Sequence, residues 1–129
     1  MSSWLPSGLA VALLSIGCQS GTAPLPTLLI SYQVAATANV SFDSVAYENA
    51  KGEIVVVAAP ARNWAVSFPM TAYGYVQATA WSVASAANET ASLKATWTLV
   101  GERTDHDSSG TTTSAPSRFT LQIVRRQVF

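Results

Sequence analysis

Apolar and polar residues alternate with a period of two through most of the chain beyond position 28, and this pattern predicts β-strands. Ile30, Tyr32 and Val34 alternate with polar or small residues, and a second run begins at Val40. Five further runs occupy 53–59, 64–68, 71–84, 93–99 and 118–126. The pattern therefore predicts about seven strands and no helix after residue 28.

Short turns separate these runs. Asn49 to Gly52 predicts a turn that joins the second and third strands in a hairpin. The β-branched segment 53–59 is typical of a buried strand, Pro69 is expected to close the fourth strand, and the polar segment 104–116 is expected to be a loop. Strand number and turn spacing predict an all-β fold, an antiparallel immunoglobulin-like sandwich over residues 28–129.

The segment 71–84 is the longest predicted strand, and its two faces differ. One face carries Tyr73, Tyr75, Gln77, Thr79, Trp81 and Val83, and the other carries mainly Ala, Gly and Ser. The face of small residues permits close approach of another layer or of another protein. We expect the aromatic residues to belong mainly to the sandwich core, and an exposed subset of Tyr and Trp to contact a protein partner. The aromatic set is Trp64, Tyr73, Tyr75, Trp81 and Trp97.

The first 17 residues have the organisation of an export signal. A polar start is followed by about ten apolar residues and small residues before Cys18, a run too short to span a bilayer as a helix. The segment ending in Gly17-Cys18 resembles a bacterial lipobox, in which the cysteine is diacylated. Residues 1–17 are therefore interpreted as a signal peptide or membrane anchor, Cys18 as the lipid attachment site, and residues 18–27 as a tether.

Two other interpretations of this region stay open. One is an uncleaved anchor or a helix lying on the membrane, and the other is a buried free cysteine. The lipobox lacks its usual leucine three residues before Cys18, and no Lys or Arg precedes the apolar run.

Composition excludes several classes of function. Seven basic residues balance seven acidic ones, so the chain has no broad electrostatic attraction to nucleic acid. A single cysteine rules out an intramolecular disulfide and a cysteine-based zinc site. Charged residues make up only 11% of the chain, which suits a surface partly covered by another component.

The polar segment near position 105 is the one place that resembles an ion site. Asp105, Asp107 and Ser109, followed by Gly110, match the first half of a calcium loop, but position 12 of that loop is Pro116 where a bidentate glutamate is required. His106 between two carboxylates is a poor zinc cage. We predict a solvated turn, no bound metal and no cofactor.

Catalytic signatures are absent from the sequence. The only histidine lies in this polar segment, no nucleophile elbow is present, and most acidic residues fall at turns and strand ends. We therefore predict that the protein is not an enzyme. Near the end of the chain, Arg118, Arg125 and Arg126 indicate a charged edge strand that blocks aggregation, and Arg125 and Arg126 are also candidate partner contacts.

Several short segments resemble the MmpS family of mycobacterial membrane proteins, which are accessory partners of lipid-exporting transporters. The resemblance covers Ser31 to Val128. It rests on Ser31-Tyr-Gln-Val34, Val45-Ala-Tyr47 with Asn49 and Gly52, Trp64-Ala-Val-Ser-Phe68 and Trp97-Thr-Leu-Val-Gly101. It implies the same β-sandwich fold and an extracytoplasmic accessory domain. The usual transmembrane helix and late-strand cysteines of the family are missing, so the transporter partner is not carried over.

Together these features predict a membrane-tethered accessory or stabilising subunit of an integral membrane protein complex. Its expected location is the periplasm or cell envelope of a bacterium. The alternative is a free-standing ligand-binding lipoprotein, which requires a concave pocket lined by Tyr73, Tyr75 or Trp81.

Overall fold

Eight antiparallel β-strands form two four-stranded sheets, so the predicted all-β sandwich is confirmed with one strand more than expected. The computed structural model describes residues 27–70, 74–100 and 103–128. The strands are β1 Leu28–Ala36, β2 Val40–Glu48, β3 Ile54–Ala58, β4 Ala65–Met70, β5 Tyr75–Ala84, β6 Thr90–Leu99, β7 Arg103–Thr112 and β8 Ser117–Gln127.

Sheet I has the strand order β4-β1-β6-β7, and sheet II has the order β3-β2-β5-β8. The predicted hairpin of β2 and β3 is present. Its turn is held by the Asn49 carboxamide oxygen, which accepts hydrogen bonds from the amides of Lys51 (2.9 Å) and Glu53 (3.0 Å). Gly52 has a positive φ of 80°, a conformation that glycine adopts without strain.

The core lies between the inner faces of the two sheets. Sheet I contributes large side chains, among them Tyr32, Leu93 and Trp97. The facing strand β5 contributes Val76 and small residues such as Ala78. Because protein interiors are close-packed, the small side chains of β5 leave the volume that the large side chains of sheet I fill. The small-residue face of β5 therefore points into the core, and its aromatic face points outward.

Strand β7 corrects the prediction of a loop over 104–116. It pairs with β6 along its whole length, with Asp105 opposite Trp97, Asp107 opposite Ala95 and Ser109 opposite Leu93. A strand at the edge of a sheet is held by its backbone ladder and needs no apolar face of its own. Its charged side chains also prevent pairing with other chains. For that reason hydrophobic periodicity gave no sign of β7.

Two further expectations are wrong because they concern strands that lie at the edges of the sheets. β3 was predicted to be buried, but it is an edge strand whose outward residues are exposed. Pro69 was predicted to close the fourth strand, but it lies within β4, opposite Leu29 of β1. β4 is also an edge strand, where a residue without an N–H is tolerated.

Parts of the predicted organisation lie outside the described residues: the segment 1–17, Cys18, the tether except Thr27, and Tyr73. Within residues 27–70, 74–100 and 103–128, no helix has the length and apolar character needed to span a bilayer.

Candidate functional site

The outward-facing surface of sheet II carries most of the exposed large apolar side chains in the described part of the chain. Trp81 on β5 is 42% exposed, Val56 on β3 is 63% exposed and Val124 on β8 is 68% exposed. Ile54 of β3 belongs to the same face. We call this surface the sheet II outer face and define it by Ser44, Ala46, Ile54, Val56, Gln77, Thr79, Trp81, Thr120, Gln122 and Val124.

Strand register places these side chains in rows across the sheet. One row runs from Val56 through Ala46 and Thr79 to Gln122. The next runs from Ser44 through Trp81 to Thr120. Both rows consist of uncharged side chains, so the centre of this face is apolar to weakly polar. Contiguous exposed apolar surface is typical of protein interaction sites, and this face is therefore the candidate site.

The charged residues of the strands in sheet II are paired. Arg118 contacts Asp43 at 2.9 Å, Arg125 contacts Glu48 at 2.7 Å and Arg126 contacts Asp107 at 3.7 Å. Because each cation has a carboxylate within reach, the sheet II outer face has little net charge. A partner can cover its centre without desolvating an unpaired ion.

A charged cluster at one end of this face joins β2, β5 and β8. Glu48 is buried, and its two carboxylate oxygens accept hydrogen bonds from Nε (2.7 Å) and an Nη (3.1 Å) of Arg125. The guanidinium lies 3.7 Å from the centroid of the Tyr75 ring, a cation–π contact. The hydrogen bonds to Glu48 raise the pKa of Arg125 above its usual value, so the guanidinium keeps its charge.

A pocket of about 240 Å³ opens beside this cluster. It is lined by Glu48, Asn49, Ala50, Lys51, Gly52, Met70, Tyr75 and Arg125. Met70 comes from sheet I, so the pocket lies at the end of the sandwich where the two sheets meet. We call this end the base. Thr27 is also at the base, where its carbonyl accepts a hydrogen bond from the amide of Val100 at 3.2 Å.

Arg126 lies on the opposite side of β8 from Arg125. Its guanidinium carbon is 5.3 Å from the centroid of the Trp97 ring, and its charge pairs with Asp107 of β7. These contacts connect the last strand of sheet II to sheet I. Arg126 therefore closes the open side of the sandwich, and its position argues for a structural role over partner contact.

The structure brings together only some of the predicted partner contacts. Tyr75 and Arg125 touch each other at the base, and Trp81 lies on the same face six residues along β5, roughly 20 Å away. Tyr75 and Trp81 point outward, and this corrects the expectation that they belong to the core. Trp97 is in the core, and Trp64 packs against its margin.

The three weak metal candidates are spread along an extended strand. The Asp105 carboxylate accepts a hydrogen bond from the amide of His106, and the Asp107 carboxylate accepts one from the amide of Ser108, both at 2.9 Å. Ser109 accepts a hydrogen bond from the Gln122 amide at 3.4 Å. Within the described ranges no three His, Cys, Asp or Glu side chains converge on a point that an ion could occupy.

Sequence reasoning missed Glu48, Val56, Ile54 and Val124. Glu48 ends a strand, where an acidic residue is usually solvated, and its burial depends on Arg125, 77 residues further along the chain. The valines and Ile54 have ordinary strand propensity, and only the sheet order shows that their side chains face solvent. The sequence signal for the residues of β3 is its uninterrupted apolar run directly after a tight turn, which fits a buried strand and an exposed edge strand equally well.

Comparison with protein-family models and with curated proteins finds no match to this chain. The resemblance to the MmpS family therefore stays a prediction.

Proposed function

We propose that this protein is a non-enzymatic, membrane-tethered accessory subunit that binds a larger membrane protein complex through its sheet II outer face. The observation that carries the proposal is the exposed, uncharged surface around Trp81 on the central strand β5. Tryptophan is enriched at the centres of protein interfaces, where it contributes a large apolar area.

The surroundings of Trp81 suit an interface better than a ligand pocket. Its cross-strand neighbours Ser44 and Thr120 are small and polar, so they form no tall walls on either side of the indole. A small ligand would need concave walls that bury most of its area. A protein surface can cover the indole from above, with the paired charges of Arg118 and Asp43 at the rim.

The entry point of the chain supports the tethered arrangement. Thr27 enters the sandwich at the base, because the next residue, Leu28, pairs with Met70, which lines the base pocket. If Cys18 carries a lipid, fewer than ten residues separate the membrane from the base, and an extended chain of that length reaches about 30 Å. The sheet II outer face would then stand close to the membrane, within reach of an integral membrane protein.

A substitution on this face should release the protein from its complex. We expect the wild-type chain, extracted from native membranes in mild detergent, to migrate in an assembly much larger than a dimer of itself. Trp81→Lys places a charge at the centre of the interface and should shift the protein to a size no larger than a dimer of itself. Native electrophoresis with immunodetection measures the change.

The matched control is Leu29→Lys on the outer face of sheet I. Leu29 is 43% exposed, close to the exposure of Trp81, but it lies on the opposite side of the sandwich. This variant should stay in the large assembly. Migration of the wild-type chain alone would refute the accessory role, and equal release by both substitutions would refute the choice of face.

Membrane attachment is tested at Cys18. If the cysteine carries the lipid, Cys18→Ser should move the protein from the membrane fraction to the soluble fraction, because a hydrophobic run of about ten residues is too short to span the bilayer. Intact mass of the wild-type chain should show a start at an acylated Cys18. An unmodified chain beginning at Met1, with unchanged fractionation of Cys18→Ser, would favour an uncleaved anchor.

The alternative, a ligand-binding lipoprotein of the cell envelope, has one observation in its favour: Tyr75 lines the pocket at the base. At about 240 Å³ this pocket is smaller than usual sites for small molecules, and it is open to solvent. A second open pocket, of about 510 Å³, lies at the other end of the sandwich and is lined by Ala35, Ala36, Ala61, Arg62 and Asn63. Neither pocket includes Trp81.

A further inference from the structure

The four edge strands of the two sheets differ in how they are protected from pairing with another chain. β7 carries Asp105 and Asp107, β8 carries Arg118 and two further arginines, and β4 contains Pro69. Charges and proline are the usual means by which edge strands avoid intermolecular pairing. β3, with the sequence Ile-Val-Val-Val-Ala, has neither.

The backbone of β3 presents hydrogen-bond donors and acceptors on the side away from β2. β3 pairs with β2 in antiparallel register, with Val55 opposite Tyr47 and Val57 opposite Val45. The carbonyl of Glu53 and the amide of Ala59 both bond to the β2 side. Because backbone direction alternates along a strand, the amides and carbonyls of Ile54, Val56 and Ala58 face away from β2. No strand of the described residues lies on that side.

We propose that β3 pairs with β3 of a second copy of this chain, forming a two-fold symmetric dimer in which sheet II becomes one continuous eight-stranded sheet. The proposal rests on the unprotected edge of β3 and does not depend on the proposed accessory function.

A second copy fits this edge because the strand is self-complementary. Antiparallel pairing centred on Val56 places Val56 opposite its symmetry mate, Ile54 opposite Ala58, and Val55 opposite Val57. The outward backbone groups of both strands then form about six hydrogen bonds. Cross-strand pairs of β-branched residues are favourable, and both outer faces lie on the same side of the joined sheet.

Charge and chain direction limit the pairing to β3. The same register places Glu53 opposite Ala59 and Lys51 opposite Ala61, so no like charges meet. Ala59 has a positive φ of 46° and precedes Pro60, so the pairing edge ends at Ala58. The joined sheet has β8 at both ends, where arginines prevent further addition. The arrangement therefore closes as a dimer and does not grow into a filament.

Site-directed cross-linking tests the register. In the full-length chain with Cys18→Ser, purified in mild detergent, Val56→Cys should form a disulfide-linked dimer on mild oxidation because the two-fold axis places its side chains together. Val124→Cys is the control, since Val124 has similar exposure on the same face but lies on the opposite edge strand. It should remain monomeric under the same conditions.

Introducing a charge at position 56 tests the affinity of the dimer. Val56→Lys should raise the dimer dissociation constant at least tenfold, measured by sedimentation velocity, because two lysines face each other at the axis. Mixing Val56→Lys with Val56→Glu should restore a dimer containing one copy of each. The exposure of Val56 lets both variants fold, which circular dichroism and thermal melting check.

Three results would overturn the proposal: a wild-type chain that stays monomeric at every concentration reached, equal cross-linking at positions 56 and 124, or, with Cys18 retained, cross-linking of Val56→Cys in native membranes only to a different protein. The last result would assign the edge of β3 to a strand of another chain.

Discussion

Trp97→Ala is expected to lower the free energy of unfolding by about 3–5 kcal/mol, whereas Trp81→Ala should lower it by about 1–2 kcal/mol. The two tryptophans are chemically identical but lie in opposite environments. Trp97 is 7% exposed and fills the core beneath Arg126, whereas Trp81 is 42% exposed on the sheet II outer face. Only the first substitution opens a cavity.

Equilibrium urea unfolding of the full-length chain measures both values. Domains of this size are stable by about 5–15 kcal/mol, so Trp97→Ala should remove a large share of the total stability. In the native-membrane assay, Trp81→Ala should weaken the complex more than a mild core variant such as Val34→Ala does. Equal destabilisation by the two tryptophan substitutions would contradict the assignment of Trp97 to the core and Trp81 to the surface.

Tyr32→Phe should lower the free energy of unfolding at neutral pH by about 1–3 kcal/mol. The buried Tyr32 hydroxyl accepts a hydrogen bond from the amide of Gln77 at 3.1 Å and donates one to the carbonyl of Glu48 at 3.4 Å. Gln77 lies at an irregularity between Val76 and Ala78, where the pairing of β5 with β8 shifts register. Without the hydroxyl, this partly buried amide loses its partner.

Tyr32 should also make the stability of the protein depend on alkaline pH. Burial, opposed by the hydrogen bond from Gln77, raises the pKa of Tyr32 from 10.0 to about 12. The stabilising contribution is therefore complete below pH 10, where tyrosine is protonated in both states. It declines as pH rises from 10 to 12, because the unfolded chain loses the proton first. The decline should amount to about 2 kcal/mol by pH 12.

Urea unfolding of wild type and Tyr32→Phe at pH 8, 10 and 11.5 measures this contribution. The stability difference between the two proteins should narrow as pH rises, since the phenylalanine variant has no hydroxyl to ionise. Other titrating groups are shared and cancel in the difference. A constant difference over this range would mean that the Tyr32 hydroxyl is not buried in the native state.

The central strands of the fold were predictable because they have one buried and one exposed face. Ile30, Tyr32 and Val34 of β1, and Leu93 and Trp97 of β6, alternate with polar residues, and all five are buried as expected. The turn from Asn49 to Gly52 was equally visible, since an asparagine side chain and a glycine specify it locally.

The edge strands were not predictable by the same reasoning. β7 is polar throughout and resembled a loop, whereas β3 is apolar throughout and resembled a buried strand. An edge strand has one partner strand and incomplete cover, so its side chains are only weakly constrained by the core. Whether such a segment forms an edge strand depends on which strand lies beside it.

The candidate site was predictable as a set of residue types but not as a surface. Aromatic residues on one face of β5 were evident from the sequence, but the direction of that face was not. The face of a strand that carries the larger side chains normally points inward. In β5 this face points outward, because the large residues of β1 and β6 fill the core from sheet I. A single strand cannot show how much volume the opposite sheet supplies.

Sequence alone determined the all-β class, the central strands and the near-zero net charge, because these depend on composition and on contacts between neighbouring residues. Tertiary structure decided the rest: the burial of Glu48 beneath Arg125, the closure of the sandwich by Arg126 over Trp97, and the exposure of Trp81 and Val56. Each of these depends on residues far apart in the chain. Their packing is set by the order of strands in the two sheets, which local periodicity does not encode.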